Sequence, residues 1–327
     1  MSGKNGQGRG VAEVEPERLR PAGEFLVWAE PPPPRTHAAG GVLALALFVL
    51  TLFSTLIVGT EFALAFASHR APFSGGLFVI EHIAAQPGLL MAGIPFSFTL
   101  LTILLAHELG HYFACRYYGI AASYPYFIPA PTIIGTMGAF IRIRSPIVNR
   151  TALFDVGLAG PVVGFLFAVP ALALAIRYSA VVPSAEMDAP FLFGRPLLEW
   201  ILTAWLRPGV AAEDLLLHPV GRAAWVGLFA TGLNLLPAGQ LDGGHIVYAL
   251  ASRRHRQISL LVAFGLLLLS AVWPGWMMWS ALLLLLGFRH PRLADRWEPI
   301  DAKRRAWAGV AVAIFLLCFM PAPLRAR

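Results

Sequence analysis

The chain has 327 residues, 57% of them hydrophobic and 13% charged, and a net charge of +7. A charged fraction near half the roughly 25% of soluble domains excludes an ordinary soluble enzyme and indicates a multi-pass membrane protein. Lys and Arg collect in the cytoplasmic loops of such proteins for topological reasons, so the positive charge implies no nucleic-acid partner.

Residues 1–38 are rich in Gly, Glu, Arg and Pro and end in Pro31-Pro32-Pro33-Pro34, a composition that buries no core. They read as a disordered cytoplasmic tail, with Phe25, Leu26, Val27 and Trp28 touching the membrane surface or a partner. No short apolar run follows a charged start there, so no cleavable signal peptide is expected. Residues 40–59 carry no charge and form the first spanning candidate, about the 20 residues a hydrocarbon core requires. Glu61 lies just beyond its end, and 60–87, with Arg70 and Glu81, reads as a mixed loop.

Residues 88–118 form the second span, which Gly119 stops. Near its C-terminal end stands His107-Glu108-Leu109-Gly110-His111. Ionisable side chains at membrane depth cost roughly 3 kcal/mol each and mark functional sites. Histidines four apart on a helix stand about 40° apart on one face, where two imidazoles reach one metal. Catalytic zinc keeps three protein ligands and leaves the fourth position open to water. Glu108, beside the first histidine, is placed to take a proton from that water and return it to a leaving amine. Cys115 and Cys318, the only cysteines, are far apart in apolar segments. Any metal must therefore use His and carboxylate.

Pro125, Pro129, Pro131, Gly135 and Gly138 break any helix over 119–150, and Phe140-Ile141-Arg142-Ile143-Arg144 alternates as a strand does. A short hairpin against the membrane near the metal and an ordinary surface loop both fit. Residues 152–176 are the third span, with Gly157, Gly160 and Gly164 at a spacing that lets another helix approach, and Pro161 adding a kink. Asp155 near its start reads as a complement to the helix dipole. Residues 178–218, with an apolar stretch at 196–206, are too short for a further domain and suggest an interfacial amphipathic helix.

Residues 220–236 are the fourth span. After it, Asn234-Leu235-Leu236-Pro237 and Gly239, Gly243 and Gly244 give irregular backbone that holds Asp242. Residues 257–273 and 276–288 flank Trp273-Pro274-Gly275 and read as a hairpin of two short spans or as one kinked helix, and 306–320 make a seventh span. With seven spans and the N-terminus inside, Lys and Arg divide 18 to 7 in favour of the cytoplasm. Spans two and four then run in the same direction and bring His107, His111 and Asp242 to one level, with Asp242 as third ligand. His245 is a rival ligand or a donor to Asp242. Asn234 is a donor to a developing oxyanion or a helix cap. His37, His69, His82, His218, His255 and His290 receive no role.

His107-Glu108-Leu109-Gly110-His111, Asn234-Leu235-Leu236-Pro237-Ala238-Gly239-Gln240-Leu241-Asp242-Gly243 and Gly157-Leu158-Ala159-Gly160-Pro161 together resemble the site-2 protease family of intramembrane zinc metalloproteases. The resemblance implies one zinc held by His107, His111 and Asp242, Glu108 as catalytic base and Asn234 beside the site. It also implies cleavage of the transmembrane segment of a membrane-anchored protein already cut by another protease. Many bacterial relatives carry a PDZ domain between the motif-bearing spans or a C-terminal CBS pair; this chain has room for neither.

The expected architecture is an all-α polytopic membrane protein of about seven transmembrane helices with a short membrane-associated β-like hairpin. Its domain covers residues 39–320, with a motif-bearing core at 88–250 and a tail at 321–327. The bilayer and a protein substrate are its partners. A bacterial cytoplasmic membrane is the expected location, with the active site opening to the cytoplasm. The alternative function is zinc handling or transport through the same His and Asp cluster.

Overall fold

The computed structural model describes residues 38–73, 78–183, 191–286, 288, 290, 293 and 299–326. Apart from Ala38, the expected N-terminal tail lies outside them. Helix α1 spans Ala38–Ala67, α2 Phe78–Ala85, and a 3-10 turn at Pro87–Gly93 leads into α3, Ile94–Tyr117. Strands β1, Tyr126–Pro129, and β2, Thr136–Phe140, precede α4, Arg150–Tyr178. Then come β3 (Ala180–Val181), β4 (Phe191–Phe193), α5 (Leu197–Leu206) and β5 (Leu215–Leu216). Helices α6 (Pro219–Asn234), α7 (Asp242–Ala251), α8 (His255–Leu269), α9 (Gly275–Leu286) and α10 (Ala302–Cys318) follow, and β6 (Leu324–Ala326) is last.

Among the described residues, three stretches are long and apolar enough to cross a membrane: 40–67, 87–117 and 150–178. The expectation of seven spans is not confirmed. The other four candidates are α6, α8, α9 and α10, of 16, 15, 12 and 17 residues. At 1.5 Å per residue these helices are about 18–26 Å long, short of a core about 30 Å thick. The first span also runs further than expected, because Glu61 lies inside α1 and its carboxylate accepts the Phe73 backbone N–H at 2.7 Å. Satisfying the carboxylate locally lets the helix continue through it.

Helices α3, α4, α6 and α7 pack on one another, and α1 flanks α3 and the β1–β2 hairpin. Val42, Leu45, Val49 and Phe53 of α1 are exposed, as lipid-facing side chains are. The main apolar core joins Leu153, Phe154, Leu172 and Ile176 of α4 to Leu228 of α6 and Ile246 of α7. Asn149 starts α4 by accepting the Ala152 N–H at 2.8 Å. Helix α3 ends as Gly119 predicts. At φ +66° the glycine turns the chain, its N–H reaching the Arg116 carbonyl at 3.1 Å and the Ile120 N–H reaching Cys115 at 2.8 Å.

The hairpin expected in 119–150 is present, with its second strand at Thr136–Phe140, earlier than the alternating run at 140–144. That run instead leans on residues 121–123 through an Ala122–Ile143 bridge. Helices α8 and α9 form a hairpin and not one kinked helix, closed by the Ser280 hydroxyl donating to the Ala263 carbonyl at 2.7 Å. A helix is present at α5 but without the polar outer face expected of an amphipathic one: it buries Leu198, Glu199, Leu202 and Thr203 and exposes Leu197, Trp200, Ile201 and Trp205, so its outward face is apolar. Strand β6 pairs antiparallel with β4, and β5 with β3.

Candidate metal centre

His107 and His111 sit one helical turn apart on α3, and Asp242 opens α7. Their ligand atoms form a tight triangle. His107 Nε2 and His111 Nε2 are 3.1 Å apart, and each lies 3.3 Å from Asp242 Oδ2. Ligands about 2.0–2.1 Å from a tetrahedral zinc stand roughly 3.3 Å from one another, so the triangle has the edges of one face of such a site. Asp242 Oδ2 is buried and makes no hydrogen bond, an orphaned carboxylate oxygen between two imidazoles. A cation accounts for it. Among the described residues this is the one cluster of three or more His, Cys, Asp or Glu groups able to hold a metal.

The surroundings aim these groups. His111 Nδ1 lies 2.8 Å from the Val156 carbonyl, which as acceptor puts the proton on Nδ1 and leaves Nε2 free for a metal. Helix α4 meets the site with its glycines. A Cβ at Gly160 would overlap the His111 ring, one at Gly164 would stand 3.1 Å from His107 Nδ1, and one at Gly157 would stand 3.1 Å from the Asp242 carbonyl. On α3, a Cβ at Gly110 would stand 2.6 Å from the Ala159 carbonyl. The stripe expected to admit a neighbouring helix therefore admits the metal-binding side chains.

Glu108 is 5% exposed, with the Ile141 backbone N–H against its carboxylate. Asn234, at the end of α6, places Nδ2 3.3 Å from His107 Nε2. Both line a cavity of about 180 Å³ together with Thr136 to Ala139 of β2, Phe229 and Leu233 of α6 and Trp279 of α9. All five residues expected at the site thus converge. His245 does not join the ligand cluster, since its Nδ1 faces His290 Nε2 at 2.9 Å. Three histidines given no role have structural partners: His290 stacks on Tyr248, His255 Nε2 lies 3.1 Å from the Gly239 carbonyl, and His218 caps α6 by accepting the Val220 N–H. Trp279 carried no sequence signal, because it belongs to an apolar run far from either motif.

A probable zinc metalloprotease EGY1 of Arabidopsis thaliana is 31% identical over 86% of this chain and 53% of its own length. A probable zinc metalloprotease EGY2 of Oryza sativa subsp. indica is 32% identical over 70% of this chain and 42% of its own, and the Arabidopsis EGY2 is 28% identical over 89% and 50%. The chain spans about half the length of the curated relatives it matches. No solved structure matches. These relatives are named as chloroplastic, which does not fit the bacterial membrane expected here; that expectation rested on residue composition, which encodes no compartment. Peptidase family M50 matches residues 95–272, a stretch that holds the ligand triangle, Glu108 and Asn234 and exceeds half of the chain, so the chain belongs to that family, the site-2 proteases.

Proposed function

We propose that the protein is an intramembrane zinc endopeptidase that hydrolyses a peptide bond in the transmembrane segment of a membrane-anchored protein, one already shortened by another protease. The observation that carries this reading is the ligand triangle with Glu108 on the adjoining residue, opening on an apolar cavity. His107, His111 and Asp242 would hold the zinc. Zinc there supplies an acidic water near neutral pH and a Lewis acid for a peptide carbonyl. Glu108 takes the proton of the attacking water and gives it to the leaving amine. The Asn234 amide donates to the carbonyl oxygen as charge develops on it.

A helical substrate hides its carbonyls in its own hydrogen bonds and must unwind. β2 pairs with β1 on one edge, and its residues 136–139 line the cavity, so the second edge offers backbone groups to an extended substrate strand beside Glu108. Zinc transport is not favoured, as the relatives described above are named as proteases.

The test compares purified wild type with Glu108→Gln in detergent. One zinc per chain in both by elemental analysis, with cleavage of single-span substrates by wild type alone, is the expected outcome. Well-folded protein without zinc would overturn the proposal.

A further inference from the structure

The cavity extends well beyond the groups that hydrolysis uses. Its two threonine hydroxyls are already satisfied: Thr136 donates to the Ile128 carbonyl at 2.8 Å and Thr231 to the Gly227 carbonyl at 2.9 Å. Past His107, Glu108 and Asn234 the lining is therefore apolar in character, with Ile134, Phe229, Ala230, Leu233 and Trp279. A space with so few free polar partners holds water poorly.

Resting on the proteolytic reading above, we infer that this cavity is a side-chain pocket for a branched aliphatic or phenyl group beside the scissile bond, with Trp279 and Ala230 setting its size. A dry cavity of roughly 150 Å³ lined by aliphatic and aromatic groups admits benzene. About 180 Å³ therefore accommodates an isobutyl or benzyl group and is small for a naphthyl. Trp279 is held in place by its own helix. One turn earlier the Trp276 indole donates to the Pro321 carbonyl at 2.7 Å and stacks on Phe319, and the next residue, Ser280, ties α9 to α8. On the α6 wall Gly227 has no freedom to grow, because a Cβ there would come 2.6 Å from Ile103. On that α6 wall Ala230 is the small residue left to set the depth.

The experiment measures, by calorimetry on zinc-loaded protein in detergent, the binding of four hydroxamates whose arms are methyl, isobutyl, benzyl and naphthylmethyl. Wild type should bind the isobutyl or benzyl arm about tenfold or more tighter than methyl, the scale of apolar discrimination in such pockets, and lose this gain with naphthylmethyl. Trp279→Ala should move the preference to naphthylmethyl and Ala230→Leu to methyl. If Ala230→Leu fails to fold, Trp279→Phe, a smaller enlargement than Trp279→Ala, gives the second reading. A flat series in wild type, or an order unchanged by the variants, would overturn the pocket while leaving zinc and proteolysis standing. Protein without zinc would defeat both readings.

Discussion

Gly160 and Asn234 show how much of the site depends on residues outside the ligand triangle. A methyl group at 160 would occupy the volume of the His111 ring, so Gly160→Ala must turn that imidazole away from Asp242 or push α4 off α3. Zinc affinity should fall about tenfold to a hundredfold, as when a ligand's orienting partner is lost, and competition with a fluorescent chelator would measure it. Asn234 is different. It touches His107 without belonging to the ligand triangle, so Asn234→Ala should keep its zinc and lose about a hundredfold in kcat with KM little changed. An equal loss of zinc would make Asn234 a positioning residue for His107. His107, Glu108 and His111 were legible in sequence because their relation is local, one turn of one helix. Asp155 was not. Read as a complement to a helix dipole, it is the partner of Arg304, 149 residues away, whose Nε donates to it at 2.8 Å.

At the scale of elements, the β1–β2 hairpin makes the sharpest test. Proline removes a backbone donor, so Met137→Pro weakens the edge proposed to pair with substrate while leaving α3 and α7 untouched. Cleavage should drop at least tenfold with zinc content unchanged; unchanged cleavage in folded protein would sink strand capture. The prolines and glycines of 119–150 announced irregular backbone, yet the register of β2 escaped them. Thr136–Phe140 contains Gly138 at φ +102°, a conformation and a residue that strand periodicity does not reward, whereas 140–144 alternates cleanly and pairs by one isolated bridge. The break between α8 and α9 was legible because Trp273-Pro274-Gly275 interrupts a helix locally, although the sequence left a hairpin and a single kinked helix both open. The placement of Trp279 at the cavity was not legible, since which face of an apolar helix meets which neighbour is decided by tertiary packing.

Across the whole molecule, Arg304 fastens three helices where α3 ends and α4 and α10 begin. Its guanidinium makes two hydrogen bonds to Asp155, a third to the Tyr118 hydroxyl at 3.2 Å and a fourth to Asp301 at 2.5 Å, while Tyr118 also donates to Asp155. The hydrogen bonds to Asp155 hold the Arg304 pKa above its ordinary value. The cluster is partly solvated, so Arg304→Gln should cost only about 1 kcal/mol, read as a lower melting temperature in detergent with zinc retained. The three longest helices also set a scale. His107 stands ten residues before Tyr117, the last residue of the second crossing stretch, and at 1.5 Å per residue that is about 15 Å along the helix axis. On the proteolytic reading proposed above, a bilayer of longer acyl chains would move each bond of a substrate helix relative to His107, so that lipid thickness would act as a ruler selecting the bond that meets the metal.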